Sequence, residues 1–239
     1  MDTSWFDEFY AEGLVTEVLA QLKSGKEATV FLCRATGPER SGLVAIKTYH
    51  GRQRRDFHNR SDYLHGMVIP GRVGRAVENR SDFGKVVLES IWINREFDTL
   101  CTLHAAGADV PEPFAASGRS IAMQCIGDEG EAGVQLRSVQ LTTAQARRYL
   151  ERLLWNIERM LACNLVHADL SPYNILVWND RPWIIDLPQA VDPRRNENAC
   201  QFLFRDVARV CSHFRRYDVE MDSTSFADSL WQRYQRAAL

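Results

Sequence analysis

Short apolar runs and turn residues alternate through the first half of the chain. Residues 28–34 (ATVFLCR) and 43–49 (LVAIKTY) have the alternation of two strands, bridged by the turn-rich GPERSG at 37–42. Further on, Ser117-Gly118-Arg119 reads as a hairpin turn, followed by a strand over Ile121–Ile126 and a break at Gly127. A third pair, Ile175–Trp178 and Pro182–Ile185, flanks the turn-prone Asn179-Asp180-Arg181. Helical spacing takes over elsewhere. Ile91, Phe97, Leu100, Leu103 and His104 mark one side of a helix that ends near Gly107. Thr142 and Gln145 have the spacing of a capping box, and the helix behind them carries Leu150, Leu153, Leu154, Ile157 and Leu161 on one stripe. Residues 197–216 predict another helix, striped by Leu203, Val207, Val210, Cys211 and Phe214. Residues 223–239 read as a last, polar helix anchored by Phe226, Leu230 and Trp231.

The third strand pair places chemistry. Folded as a hairpin, it brings Asn174 and Asp186 to its open end, with Asp169 just upstream in a loop closed by Pro172. An Asp, an Asn five residues on, and an Asp after a second strand is the layout of protein kinases. There the first Asp takes the proton of the attacking hydroxyl, and the other two hold Mg²⁺ on ATP. Single Asp and Asn residues beside turns usually cap helices or form Asx-turns, so the weight rests on all three together.

Lys47 adds to this. It sits in VAIK among apolar strand neighbours, where an ammonium needs an anionic partner. Glu96 in the following helix is the expected partner, with Glu89 as competitor. Before the first strand, Lys23-Ser24-Gly25-Lys26-Glu27 forms a loop in which Gly25 permits a tight turn and Ser24 and Lys26 could meet phosphates. In a kinase layout Gln124–Ile126 form the hinge that bonds adenine, and Met123 lines the pocket behind it.

Composition narrows the class. The chain has 239 residues, 45% hydrophobic and 25% charged, enough for one domain or two lobes sharing a cleft. A net charge of −2 gives no global argument for nucleic acid or an anionic membrane. The start, MDTSWFDEFYAEG, lacks the basic and apolar regions of a signal peptide, and no apolar run is long enough to span a bilayer. Six cysteines without a CxxC pair read as reduced, mostly buried thiols of a cytoplasmic protein, not a zinc site or disulfide framework. Only 53 residues follow Asp186, with no APE motif, so a conventional peptide-holding platform is not expected.

SGKEATVF, VAIKTY, NREFDTLCTLHAAGADVPEP, MQCIGDEG, LVHADLSPYNIL and IIDLPQAVD together resemble the RIO family of atypical kinases, over about Gln21 to about Phe214. The SGKEA loop and HADLSPYN look like the type 1 branch, whereas Leu-Pro-Gln after Asp186 is similar to type 2, whose winged-helix domain is not expected here. The resemblance implies an α+β, bilobal protein-kinase-like fold with a β-rich N-lobe (about 1–123, with a flexible insertion at 50–88), a hinge at 124–127 and a truncated, mainly helical C-lobe (128–239). It assigns Ser24, Gly25 and Lys26 to phosphate contact, and Lys47 to the α/β-phosphates with Glu96 orienting it. Asp169 becomes the catalytic Asp, and Asn174 and Asp186 hold Mg²⁺, or Mn²⁺, on ATP. Lys23 replaces a hydroxyl residue usual in type 1, and Pro172 stands at an often acidic position.

Segment 50–85 carries eight basic residues against four acidic ones. It reads either as solvated loop or as a contact for RNA or an acidic partner, as implied by a family tied to small-subunit ribosome maturation. Several functions follow from the reading: serine/threonine protein kinase with autophosphorylation, an ATPase switch on a ribosomal or RNA particle, or a small-molecule kinase of the aminoglycoside or choline type. A pseudokinase scaffold is the non-enzymatic alternative, and the presence of every catalytic residue argues against it.

Overall fold

Antiparallel strands and their covering helices divide the chain into two compact units. A computed structural model describes residues 6–36, 41–50, 79, 81–128 and 131–239. Among the described residues the chain belongs to the first unit as far as Asp98, enters the second at Thr99, returns at Glu112, and leaves finally after Ala132. Most of the basic segment 50–85, and with it the expected RNA contact, lies outside the described residues.

The first unit is built on five strands: β1 (Glu17–Ser24), β2 (Ala28–Thr36), β3 (Ser41–Tyr49), β4 (Pro113–Ser117) and β5 (Ser120–Gln124), in the order β1-β2-β3-β5-β4. Alternation on β3 decides which residue faces where. Val44 and Ile46 join Cys33, Ala35 and Ala122 on one face, and the short helix α1 (Asp7–Ala11) and its flank cover them with Phe6 and Phe9. Ala45 points to the other face, in a cluster with Leu32 and Cys125. Helix α2 (Asp82–Ala105) packs Ile93 and Trp92 against Tyr49 and Ile121. Two small strands, β6 (Gly127–Asp128) and β7 (Glu131–Ala132), complete this unit. Strand β1 and helix α1 had no strong periodic signal, because β1 is exposed or half-buried along its length and carries two register shifts.

The second unit contains β8 (Val134–Gln135), helix α3 (Thr143–Ala162), β9 (Ile175–Trp178), β10 (Arg181–Ile184), helix α4 (Ala199–Phe214) and helix α5 (Ser223–Gln235). The capping box at Thr142 and Gln145 is formed. Helix α4 ends two residues earlier than expected, its continuation tightening into a 3₁₀ turn at Arg215–Tyr217. On α5 the buried anchors are Ala227 and Leu230, whereas Phe226 is half-buried. His104, expected on the apolar side of α2, is exposed; Ile93, Glu96, Leu100 and Leu103 are buried.

Asp109 knits this second unit together. Its carboxylate is fully buried and accepts bonds from Arg152 Nη2 at 2.9 Å, Asn156 Nδ2 at 2.7 Å and the Arg181 guanidinium. Its backbone N–H donates to Asn156 Oδ1 at 2.7 Å, and its carbonyl accepts from Ile184 N at 2.8 Å. One residue therefore ties residues 99–111 to both α3 and β10. Burial pushes the carboxyl up, but the bonds from Arg152, Asn156 and Arg181 outweigh it and hold the group below its ordinary value.

Replacing Asp109 by Ala leaves two guanidinium groups and an amide without their acceptor. Both arginines reach solvent, so the expected loss is about 2–3 kcal/mol, below that of a fully buried pair. The carboxylate's contribution is present above its ordinary value of 3.8 and disappears as pH falls through and below it. Urea titrations at neutral pH and near pH 3 should therefore show a gap between wild type and Asp109→Ala that narrows in acid. A gap that widens would refute this assignment.

Candidate active site

In the first unit Lys47 is 8% exposed and Glu96 5%, and Lys47 Nζ donates to Glu96 Oε1 at 2.7 Å. The pair comes from β3 and α2, as the sequence required, and Lys47 also lies over the Tyr49 ring at 5.0 Å. Two buried opposite charges this close offset part of each other's desolvation. The competitor Glu89 belongs to the same helix but its side chain lies outside the described residues.

The β1–β2 loop is tied down from behind. Ser24 Oγ meets Thr29 Oγ1 at 3.2 Å, and His50 Nε2 bonds Gly25 O at 3.1 Å. Gly25 N closes the turn on Ala28 O at 2.9 Å. An added Cβ at Gly25 would sit an ordinary 3.6 Å from Ala28 O, so the turn itself does not need glycine, contrary to expectation. What glycine leaves is an open backbone at the loop. Lys26 is exposed beside it.

At the expected hinge, Gln124 N already donates to Glu112 O at 2.8 Å, and Gln124 Oε1 accepts from Glu112 N at 3.3 Å. Its backbone donor is thereby committed, and the next two residues, Cys125 and Ile126, are both buried. Met123 packs on the face carrying Leu32, Ala45 and Cys125, as well as against Tyr49 and Ile121.

In the second unit the hairpin forms with β9 paired to β10 in the register Ile175↔Ile184. The turn is shorter than expected: Asn179 and Asp180 alone occupy it, both with positive φ (49° and 54°), the backbone that matches the twist of a two-residue hairpin. Asp180 accepts from Tyr149 Oη at 2.7 Å and from Arg148 Nη2 at 2.5 Å, which fastens the turn to α3. At the open end, Ile185 N donates to Asn174 O at 3.0 Å, so Asp186 follows directly after the bond that carries Asn174.

Asn174 Nδ2 donates to Asp169 O at 3.0 Å, bringing two of the three predicted residues together. This orients the amide so that its oxygen, which accepts no bond among the described residues, remains available. Asp186 is exposed and has a positive φ of 68°. His167 bridges loop and hairpin: Nε2 donates to Ile185 O at 3.3 Å and Nδ1 accepts from Asp169 N at 3.3 Å. That pattern needs the neutral ring, and complete burial holds its pKa below the ordinary value.

Three residues of α4 escaped the sequence analysis. Asp206 accepts from Ala168 N at 2.8 Å and Leu170 N at 3.1 Å, clasping the peptide groups on both sides of Asp169. Arg205 donates to Ala168 O, and Arg209 Nη1 donates to Asp169 Oδ1 at 3.0 Å. The signal was available for Asp206: it falls within the Leu203–Val207–Val210 stripe, where a carboxylate is out of place unless it is bonded. Ala168 needs this clasp, since its φ of 64° is unfavourable for a residue with a Cβ. Burial pushes the Asp206 carboxyl up to about 7, against the two N–H donors and the charges of Arg205 and Arg209.

Among the described residues no three His, Cys, Asp or Glu side chains form a metal cage. A hard cation on Asn174 and Asp186 would thus draw its remaining oxygen ligands from phosphates and water, the habit of Mg²⁺ at nucleotides. The amide and carboxylate oxygens fit such an ion. All six cysteines are free thiols, three buried and three half-buried.

The chain matches the family model described as the RIO domain over residues 29–227. It is 32% identical over 204 residues to the RIO-type serine/threonine-protein kinase Rio1 of Haloferax volcanii, covering 85% of this chain and 65% of that protein. It is 29% identical over 208 residues to human serine/threonine-protein kinase RIO1, covering 87% of this chain and 35% of that protein. The chain thus spans less than two thirds of the archaeal relative and about a third of the human one. Among solved structures, the Rio2 kinase-ADP/Mg²⁺-phosphoaspartate complex from Chaetomium thermophilum is similar, with a TM-score of 0.68 at 21% identity, over 99% of this chain and 70% of that one. This likeness shows the fold: α+β and protein-kinase-like, with a sheet-based N-lobe and a helical C-lobe.

The raised Asp206 pKa has a pH consequence of opposite sign to that of Asp109. Between 3.8 and about 7 the folded chain keeps a proton that the unfolded chain has released. Stability from this group is full below that window and falls as pH rises through it. Urea midpoints of wild type, measured relative to Asp206→Asn, are expected to decline from pH 4 to pH 7. Parallel pH profiles of the two proteins would sink the assignment.

Proposed function

The chain belongs to the RIO domain family, and from that premise we propose that it is an ATP- and Mg²⁺-dependent phosphoryl transferase acting as an atypical serine/threonine protein kinase. The observation that most supports this is the Asp169 loop. An exposed carboxylate on a strained loop, whose flanking peptide groups are clasped by a buried carboxylate, is arranged for proton transfer.

Lys47, held by Glu96, would neutralise phosphate charge, with Ser24, the Gly25 backbone and Lys26 meeting phosphate oxygens. Met123, Cys125 and Ile126 would receive adenine. Asn174 and Asp186 would hold the cation, for which Mn²⁺ shares the preference for oxygen ligands. Bound ATP with its cation would supply the transferable phosphoryl group. Asp169 would accept the proton of the acceptor hydroxyl at Oδ2, because Oδ1 is engaged by Arg209. The neutral His167 and the Asp206 clasp would keep that oxygen in place. Free thiols throughout agree with a reducing, cytoplasmic setting. Among the described residues no helix is long and apolar enough to cross a membrane.

A second reading is ATP hydrolysis as a conformational switch on a ribosomal or RNA particle. A small-molecule kinase of the aminoglycoside or choline type is disfavoured, because Arg205 and Arg209 beside Asp169 would repel such cationic acceptors.

Turnover of γ-labelled ATP separates these readings. Label on protein supports the first, free phosphate the second, label on a small metabolite the third. In the same assay Asp169→Ala should lower turnover by about 10²–10⁴-fold with nucleotide affinity changed only modestly; retained turnover would overturn the assignment. Asp186→Ala should weaken the Mg²⁺ dependence of nucleotide binding, and an unchanged Mg²⁺ titration would count against its role as a ligand.

A further inference from the structure

A cavity of about 630 Å³ opens beside Asp169 within the second unit, bordered by the 169–173 loop and α4. Its charged walls are Asp169, Arg205 and Arg209, with Ser171, Tyr173 and Ser212 adding polar groups. Asp169 is the sole acidic side chain in this lining, and two guanidinium groups face it. The balance there is positive although the chain as a whole carries −2.

Both arginines are anchored. Arg209 is held by Asp169 Oδ1 at 3.0 Å, and Arg205 by Ala168 O and by the Phe202 ring at 4.9 Å. Each commits one N–H group to these bonds among the described residues, and a guanidinium has five. The remaining donors form pre-positioned forks suited to a carboxylate or a phosphate. At the rim, Tyr173 is 56% exposed, and the Arg137 guanidinium stacks on its ring at 4.5 Å. A third positive charge therefore lies next to a residue of the lining, outside the lining itself.

We infer that this cavity receives the phosphoryl acceptor, and that the acceptor is a serine or threonine in an acidic peptide segment. This rests on the kinase reading above. The hydroxyl approaches Asp169 Oδ2, which accepts no bond among the described residues. A carboxylate or phosphate on a near-neighbour residue of the peptide then meets Arg205 and Arg209. The arginines select the acceptor through charge, and Arg209 also positions the Asp169 carboxylate. A basic segment is rejected because its cations would meet the guanidinium groups of Arg205 and Arg209.

The test is fluorescence anisotropy of labelled serine peptides on the full chain at near-physiological salt, where exposed long-range attraction is screened. Flanks are glutamate, phosphoserine or lysine. Both anionic peptides should bind at least about tenfold tighter than the lysine peptide, and the stronger of the two names carboxylate or phosphate as the preferred anion. Arg209→Glu should abolish or invert that order, while Arg209→Lys should keep it. Equal affinities, a preference for lysine, or an unchanged order in Arg209→Glu would overturn the inference. Transfer of γ-label to the same peptides separates it from the kinase reading. The expected binding order without label on any peptide defeats the kinase reading and leaves the cavity's preference standing. Label without preference defeats the preference alone.

Discussion

The loop that carries Asp169 depends on a single buried carboxylate. Asp206 sits on the inward face of an amphipathic helix and accepts the N–H groups on both sides of Asp169. Without it, two buried peptide donors would lack partners and Ala168 would have no compensation for its left-handed backbone. The cost of burying the carboxylate is offset by fixing the loop, which is the usual reason a polar group survives inside a core. Arg205 and Arg209 extend the arrangement by a turn of helix, so α4 is at once a packing element and the support for the reactive loop.

A parallel device operates in the other unit. Lys47 and Glu96 are each buried and bonded to one another, one on a strand and one on a helix. Sheet alternation places Val44 and Ile46 with α1 and leaves the opposite face to Ala45 and its apolar neighbours. Charge placement here follows from strand geometry, with the helix supplying the counter-ion.

The legible parts of the sequence were those with a periodic or spaced signal. The hairpin, the capped helix, the Lys47–Glu96 pair and the Asp169–Asn174 link all had such signals and all formed. Asp109 was missed because a buried acid outside a periodic element gives no pattern, and its partners come from other elements; for Asp206 the one sign was its place within an apolar stripe. Strand β1 was missed because its burial does not alternate. The bond from Gln124 N to Glu112 O was not legible for a similar reason, since no local pattern announces it. Gly25 shows the reverse error, a residue read for conformational freedom in a turn whose backbone any residue could adopt.

The two-residue turn of the β9–β10 hairpin has a bearing on how this chain can diverge. Both turn positions have left-handed backbone, and Asp180 is fastened to α3 by Tyr149 and Arg148. Inserting or deleting one residue within either strand would shift the pairing by one and turn the side chains beyond that point to the opposite face, and a change within the turn would move Asp180 from its partners on α3. Length variation among descendants should therefore be excluded from this interval and gather in loops outside it, while substitutions within the strands remain free wherever they preserve the alternation.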